Sequence, residues 1–204
     1  MARSGSANCS GRSNIRRIEV GSKGVQPRMK PNSRRYPLIP KSNASLRSGD
    51  YWPVELVDGT FACGVVLQLA PEGRPGSRIH FFGGLIDRHG TKLPDPSELL
   101  SRSILRQGVM RFQSISEGQI GVLGNLDPLP DSWTPTSSIN GNVIQRGYDV
   151  VRSYRTSDLN RLPTFSWWGI DYLWCATNAH FIGPPLIDLE GYLSAGGRSP
   201  KRTP

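Results

Sequence analysis

Apolar and polar positions alternate most cleanly on either side of Asp58-Gly59. Trp52, Val54 and Leu56 precede that dipeptide at every second position, and Phe61, Cys63, Val65, Leu67 and Leu69 follow it in the same way. Two period-two runs joined by Asp-Gly predict a β-hairpin, because the tight turn needs positive φ and glycine reaches it without a Cβ clash. Pro53 has no N–H to offer a neighbouring strand, which places the first run at a sheet edge or at the start of its strand. A turn over 71–77 and a third short strand over 78–82 come next, with Gly83-Gly84 ending or bulging it. Asp95-Pro96-Ser97-Glu98 has the order of a helix start: a capping acceptor, a proline at the first helical position, and a glutamate that closes the box. Leu99, Leu100, Ile104 and Leu105 then face inward on a short helix ending near Gly108.

Residues 109–115 and 119–123 read as two further strands around Glu117-Gly118, and Pro128, Pro130 and Pro135 mark a connection. Tyr148, Val150 and Arg152 alternate with Asp149, Val151 and Ser153, predicting a later strand that returns to the sheet. Trp167, Trp168, Tyr172, Trp174 and Phe181 make 165–181 the most aromatic stretch, and periodicity does not decide between strand and helix there. Many short strands with one short helix predict a mainly β (α+β) fold, a twisted and partly closed antiparallel sheet.

Charge changes the picture at the ends. Residues 1–47 hold 11 Lys and Arg against one acid, Glu19, whereas 48–197 carry a net −4 and the last seven residues add +3. The Arg-, Ser-, Gly- and Pro-rich start has too little apolar surface to offset its ordering entropy. Three parts are therefore expected: a disordered basic arm over 1–45, a single β-rich domain over 46–190, and a flexible basic tail over 191–204. An Arg- and Ser-rich start also resembles a transit peptide, but Gly21, Gly24, Pro27 and Pro31 interrupt the amphipathic helix such a peptide needs. The longest apolar run, 61–67, is too short to span a bilayer. Three widely spaced cysteines, Cys9, Cys63 and Cys175, make a poor disulfide framework. The expectation is a soluble, cytoplasmic protein with no membrane partner.

The candidate chemistry is sparse. Three Cys and three His include no paired-cysteine motif and no His pair one helical turn apart, so no metal and no cofactor is expected. His80 and His89 meet only if Gly83-Gly84 turns the chain back on itself. Phosphate-binding glycine motifs and a nucleophile elbow are absent, and Cys63 falls on the apolar face of its strand, where a thiol is inert. A hydrolase built on Asp87 and His89 is the least favoured reading; no catalytic residue is assigned, and the chain reads as a binding protein. Trp133 lies in Pro130-Asp131-Ser132-Trp133-Thr134-Pro135, which reads as an exposed loop suited to contact. Trp133, Asp131, Asp127 and Asp87 form the candidate partner-binding set. The alternative is a nucleic-acid-binding small β-barrel whose basic arm tracks phosphates through Arg16, Arg17, Arg34 and Arg35.

Arg47-Ser48-Gly49-Asp50, the strand to Leu56, Asp58-Gly59 and Gly64-Val65-Val66 together resemble the opening of the bacterial immunity protein 26 family. Gly118-Gln119-Ile120-Gly121-Val122-Leu123-Gly124-Asn125, followed by Pro128-Leu129-Pro130, is similar to that family's later strand and its glycine-containing exit. The resemblance covers about residues 46–155. It implies a non-enzymatic protein that neutralises a cognate bacterial toxin by direct contact, and it transfers no ligand residues. A mildly acidic body suits a basic partner such as a nuclease toxin.

Overall fold

The first hairpin forms where the alternation puts it. In the computed structural model, which describes residues 34–118 and 120–183, β1 (Asp50–Glu55) pairs antiparallel with β2 (Phe61–Leu69) across Asp58-Gly59. β3 (His80–Gly90), α1 (Pro96–Leu99), β4 (Ile104–Arg111), α2 (Gln113–Ser116) and β5 (Gly124–Asn125) follow. The chain then forms β6 (Ser137–Asn140), β7 (Val143–Arg146), β8 (Asp149–Ser153), β9 (Trp167–Trp168) and α3 (Ile170–Phe181). Strand order is β5-β1-β2-β3-β4-β9 in a six-stranded sheet and β6-β7-β8 in a second, three-stranded one. Among the described residues all strand pairs are antiparallel except β4 with β9. The protein is mainly β, and neither sheet closes into a barrel. β5 covers β1 only at Asp50 and Tyr51, so Pro53 lies past the end of that pairing, where its missing N–H costs nothing.

Both faces of the large sheet are covered, which is why β2 is apolar at nearly every position rather than at every second one. Ala62 and Val66 enter one core with Trp52, Val54, Phe81, Met110 and Leu173. Cys63, Val65 and Leu67 enter the other with Tyr51, Phe82, Leu99, Val109 and Trp133. Strand glycines make room for the largest side chains. The Trp52 indole lies over Gly64, its cross-strand partner, and a Cβ on Gly108 would stand 2.6 Å from Trp168 Nε1. The start of β1 is fixed by Gly49, at φ +87, whose N–H donates to Val66 O at 2.8 Å. Beside it the buried Asp50 carboxylate accepts from Arg47 N–H and Asn125 Nδ2, both at 2.9 Å.

Several elements differ from the sequence reading, each because tertiary pairing outweighs local preference. Gly83-Gly84 does not end the third strand; β3 runs through it for 11 residues, the glycines lying under Met110, Ile104 and Leu67. His80 and His89 therefore sit at opposite ends of one strand, about 30 Å of extended chain apart, and do not meet. Asp95 caps α1 as expected, accepting from Ser97 N–H at 2.9 Å, but the helix stops at Leu99. Ile104 and Leu105 belong instead to β4, and Leu100 is exposed. Residues 113–116 are a helical turn rather than the end of a strand. The strand expected around 148–154 forms as β8 but pairs with β7 in the second sheet. Gln68 links the two sheets, accepting from Tyr148 N–H at 2.8 Å and donating to Asp149 at 2.9 Å.

Residues 35–45, assigned from the sequence to the arm, take part in the fold. Leu38 and Val122 exchange backbone hydrogen bonds at 2.9 and 2.8 Å, and the buried Asn43 amide donates to Ser77 O at 2.9 Å and also to His80 O. Arg16, Arg17 and the tail from 184 onward lie outside the described residues.

Two groups make measurable predictions. The Tyr148 hydroxyl is buried with no hydrogen-bond partner among the described residues, and burial pushes its pKa well above the ordinary phenol value. An unpartnered buried hydroxyl is a net cost, so Tyr148→Phe is expected to raise the unfolding free energy by about 1 kcal/mol in urea titration. A loss of stability would show that the hydroxyl has a partner. Asp158 accepts two hydrogen bonds from Arg152, at 2.7 and 2.8 Å, and one from Arg155 N–H, and the Arg152 guanidinium holds its pKa down at about 2 from the usual 3.8. A depressed carboxylate stabilises the fold fully above its unfolded pKa and loses that contribution as pH falls through the folded value. The Tm gap between the wild type and Asp158→Asn is therefore expected to hold above about pH 4 and to close by about pH 2. A gap constant down to pH 2 would refute the pairing.

Candidate functional site

On the open side of β4 the large sheet ends in a cavity. β9 pairs with β4 only at Val109 and Met110, so among the described residues no strand lies beside Ile104–Gln107 on that side. The hydrogen bonds of β4 alternate: Phe112 N–H donates to Ile79 O on the β3 side, and Val109 N–H donates to Ser166 O on the other, at 3.0 and 2.9 Å. Gln107, two residues before Val109, therefore directs its N–H and C=O away from β3.

The cavity arises because the chain forks. Ser166 and β9 follow β4, but Pro163 to Phe165 cross to the second sheet, where Ile139 N–H donates to Pro163 O at 2.8 Å and Phe165 N–H to Ile139 O at 2.7 Å. Between the branches is a space of about 340 Å3, lined by Phe82, Leu105 to Gln107, Thr136, Ser138, the 163–166 segment, Trp168 and Tyr172. A second space of about 410 Å3 adjoins it under α3, lined by Arg106, Tyr172, Ala176, Ala179 and His180. Volumes of this order suit a small ligand or a few side chains of a larger one.

The walls are held from several directions. Gln107 Oε1 accepts from Thr136 N–H at 2.8 Å, tying the start of β6 to β4. On the helix side, Trp174 Nε1 donates to Glu55 O at 3.0 Å, and Asn178 Oδ1 accepts from Val57 N–H at 2.9 Å, so α3 is pinned to the β1–β2 hairpin. The opposite helix face, with Tyr172, Ala176 and His180 one turn apart, is left toward the cavity. Ser138 is only 7% exposed, and its buried hydroxyl has no hydrogen-bond partner among the described residues. Arg106 is exposed and has no carboxylate partner among them.

The residues nominated from the sequence lie elsewhere. Trp133 is not an exposed contact: it is 1% exposed, in the core opposite α3, with Nε1 donating to Arg102 O at 2.8 Å. The helical turn Asp131–Trp133 folds the ring inward, because an indole gains far more from burial than a proline-bounded loop loses by ordering. Asp131 and Asp127 are exposed on that connection and Asp87 on β3, and no hydrogen bond or ion pair among the described residues joins the three. Arg34 and Arg35 stand at the start of the described residues, half-buried and exposed. The fork residues had no motif to betray them; the one available signal was an arginine alternating into a strand otherwise committed to two cores.

The histidines and cysteines can be placed as well. His89 Nε2 lies 2.6 Å from Thr60 Oγ1 and 3.9 Å from Asp58 Oδ2, while Thr60 Oγ1 donates to Asp58 at 2.6 Å. A nucleophilic triad needs hydroxyl and carboxylate on opposite ring nitrogens, and here both face the same one. Cys63 and Cys175 are free and buried, and burial pushes both thiols up, away from the reactive thiolate. Among the described residues no three His, Cys, Asp or Glu side chains gather as a metal site, and no helix is long and apolar enough to cross a membrane. Compared with models of protein families, with curated proteins and with solved structures, the chain matches none.

Proposed function

We propose that the chain is a non-enzymatic binding protein that receives an extended segment of a protein partner by strand addition at the open side of β4. The outward-directed N–H and C=O of Gln107, at the mouth of the fork, carry this reading. In strand addition the main-chain bonds supply affinity, and pockets for alternate side chains supply specificity. The two adjoining spaces share Arg106 and Tyr172 at the edge of β4; one extends under α3, and the other reaches Phe82, Gln107 and Phe165 of the opposite face.

Displayed 12-residue peptides selected on the full chain are the test. Strand addition is expected to make affinity sensitive to backbone N-methylation at every second residue of a selected peptide, since alternate amides face the sheet. Failure to select any peptide, or affinity indifferent to N-methylation, would overturn it. The narrower reading, a cytoplasmic immunity protein whose partner is a toxin, rests on the resemblance over 46–155. Co-expression with a cognate toxin should protect cells and yield a complex, and growth arrest would reject it.

A nucleic-acid reading is favoured by a different feature. Trp167 is 62% exposed, with its ring 5.2 Å from the His80 imidazole, and Arg111 is the cross-strand neighbour of His80. Aromatic and cationic groups so placed suit base stacking. Salt-sensitive binding of oligo(dT), lost in Trp167→Ala, is what that reading expects; no binding at low salt removes it.

A further inference from the structure

We propose that the α3 side of the fork selects an acidic side chain in the added strand, with Arg106 as its partner; this rests on strand addition at β4. From Arg106 to Met110, past the bulge at Leu105, side chains alternate along β4. Met110 belongs to the core under α3 and Val109 to the opposite one, so Arg106 shares the α3 face, and Gln107, tied to Thr136, takes the other. Arg106 is common to both spaces, and no carboxylate is paired with it among the described residues.

The surroundings favour an anion there. Ala176 and Ala179 leave room where longer side chains would fill the space, and the Tyr172 hydroxyl and the His180 imidazole offer donors on the same wall. The one acid of the helix's first turn, Asp171, is absent from that lining. A strand lying beside Leu105–Gln107 places one side chain on the Arg106 face and its neighbours on the other. Those neighbours meet Phe82, Phe165 and the Ser138 hydroxyl, a buried polar atom without a partner among the described residues that a ligand would satisfy. The partner segment is thus extended, with an Asp or Glu flanked by small side chains able to hydrogen-bond.

The same selected peptides test this. Asp or Glu is expected at one fixed position, and its replacement by Asn or Gln is expected to weaken binding about tenfold, the effect of a charge-assisted over a neutral hydrogen bond. Arg106→Glu should weaken the acidic peptides at least as much and bind a peptide with Lys at that position better than the wild type does. Arg106 is exposed, so an unchanged Tm is expected to show that the variant is folded. Peptides that respond to N-methylation but show no acidic preference, or that bind Arg106→Glu as well as wild type, overturn the acidic selection and leave strand addition standing. Absence of any N-methylation response overturns both.

Discussion

Trp133→Ala is expected to lower the unfolding free energy by about 3–5 kcal/mol, the cost of removing a large buried aromatic whose site cannot collapse around it. The indole is almost wholly buried in the core that holds Phe82, Leu99 and Val109, between the Pro128–Pro135 connection and the sheet. Its loss opens a cavity and leaves Arg102 O without the Nε1–H donor, 2.8 Å away, that now satisfies it. Trp133→Phe keeps most of the ring but not the donor, and is expected to cost about 1–2 kcal/mol. Urea denaturation of the three proteins, with m unchanged, separates the packing contribution from the hydrogen bond. A cost below about 1 kcal/mol for the alanine variant would return Trp133 to the surface and to partner contact.

Arg88→Met should be the other severe substitution, at about 2–4 kcal/mol, because it removes a buried cation and strips the polar groups around it of their donor. Arg88 is buried near the end of β3, donates to Phe61 O at 2.9 Å, and reaches Leu93 O at 3.5 Å and the Glu98 carboxylate at 3.4 Å. It thereby ties β2, the loop before α1, and α1 itself to one strand. Methionine fills the aliphatic volume but leaves two carbonyls and a carboxylate behind. Glu98 is partly exposed and shared with Arg102, so the orphaned acid turns to water or to that arginine, which keeps the cost below that of a fully buried pair. Glu98→Gln leaves Arg88 with both carbonyls and a neutral acceptor, and the expected loss is only about 1 kcal/mol. Equal losses for the two variants in chemical denaturation would mean that the ion pair, and not the carbonyl bonds, dominates.

The proposed strand addition at β4 and the proposed acidic selection by Arg106 have different physical origins. The first depends on backbone geometry, which a side-chain substitution leaves in place. The second depends on a single exposed cation. Variants in α3 connect them: Trp174 and Asn178 touch no part of the space yet fix the helix that walls it, so their loss acts on the pocket through position.

By itself the sequence determined the elements whose causes are local. The Asp58-Gly59 hairpin follows from period-two alternation about a glycine turn, and the start of α1 from Asp95-Pro96. The mainly β class follows from the sum of these. What the tertiary structure alone decided depends on which strand finds which neighbour. Gly83-Gly84 looks like a stop until Met110, Ile104 and Leu67 occupy the space above it. Ile104 and Leu105 fit a helix as well as a strand until β3 offers a ladder, and Trp133 looks exposed until the loop folds its ring against Arg102. The fork has no sequence signature, because it exists only where 163–166 leaves β4 for Ile139, residues brought together by two sheets that meet late in the chain. Local patterns encode dihedral preference and which side of an element is apolar; a cavity is the space left between elements, and no single segment contains it.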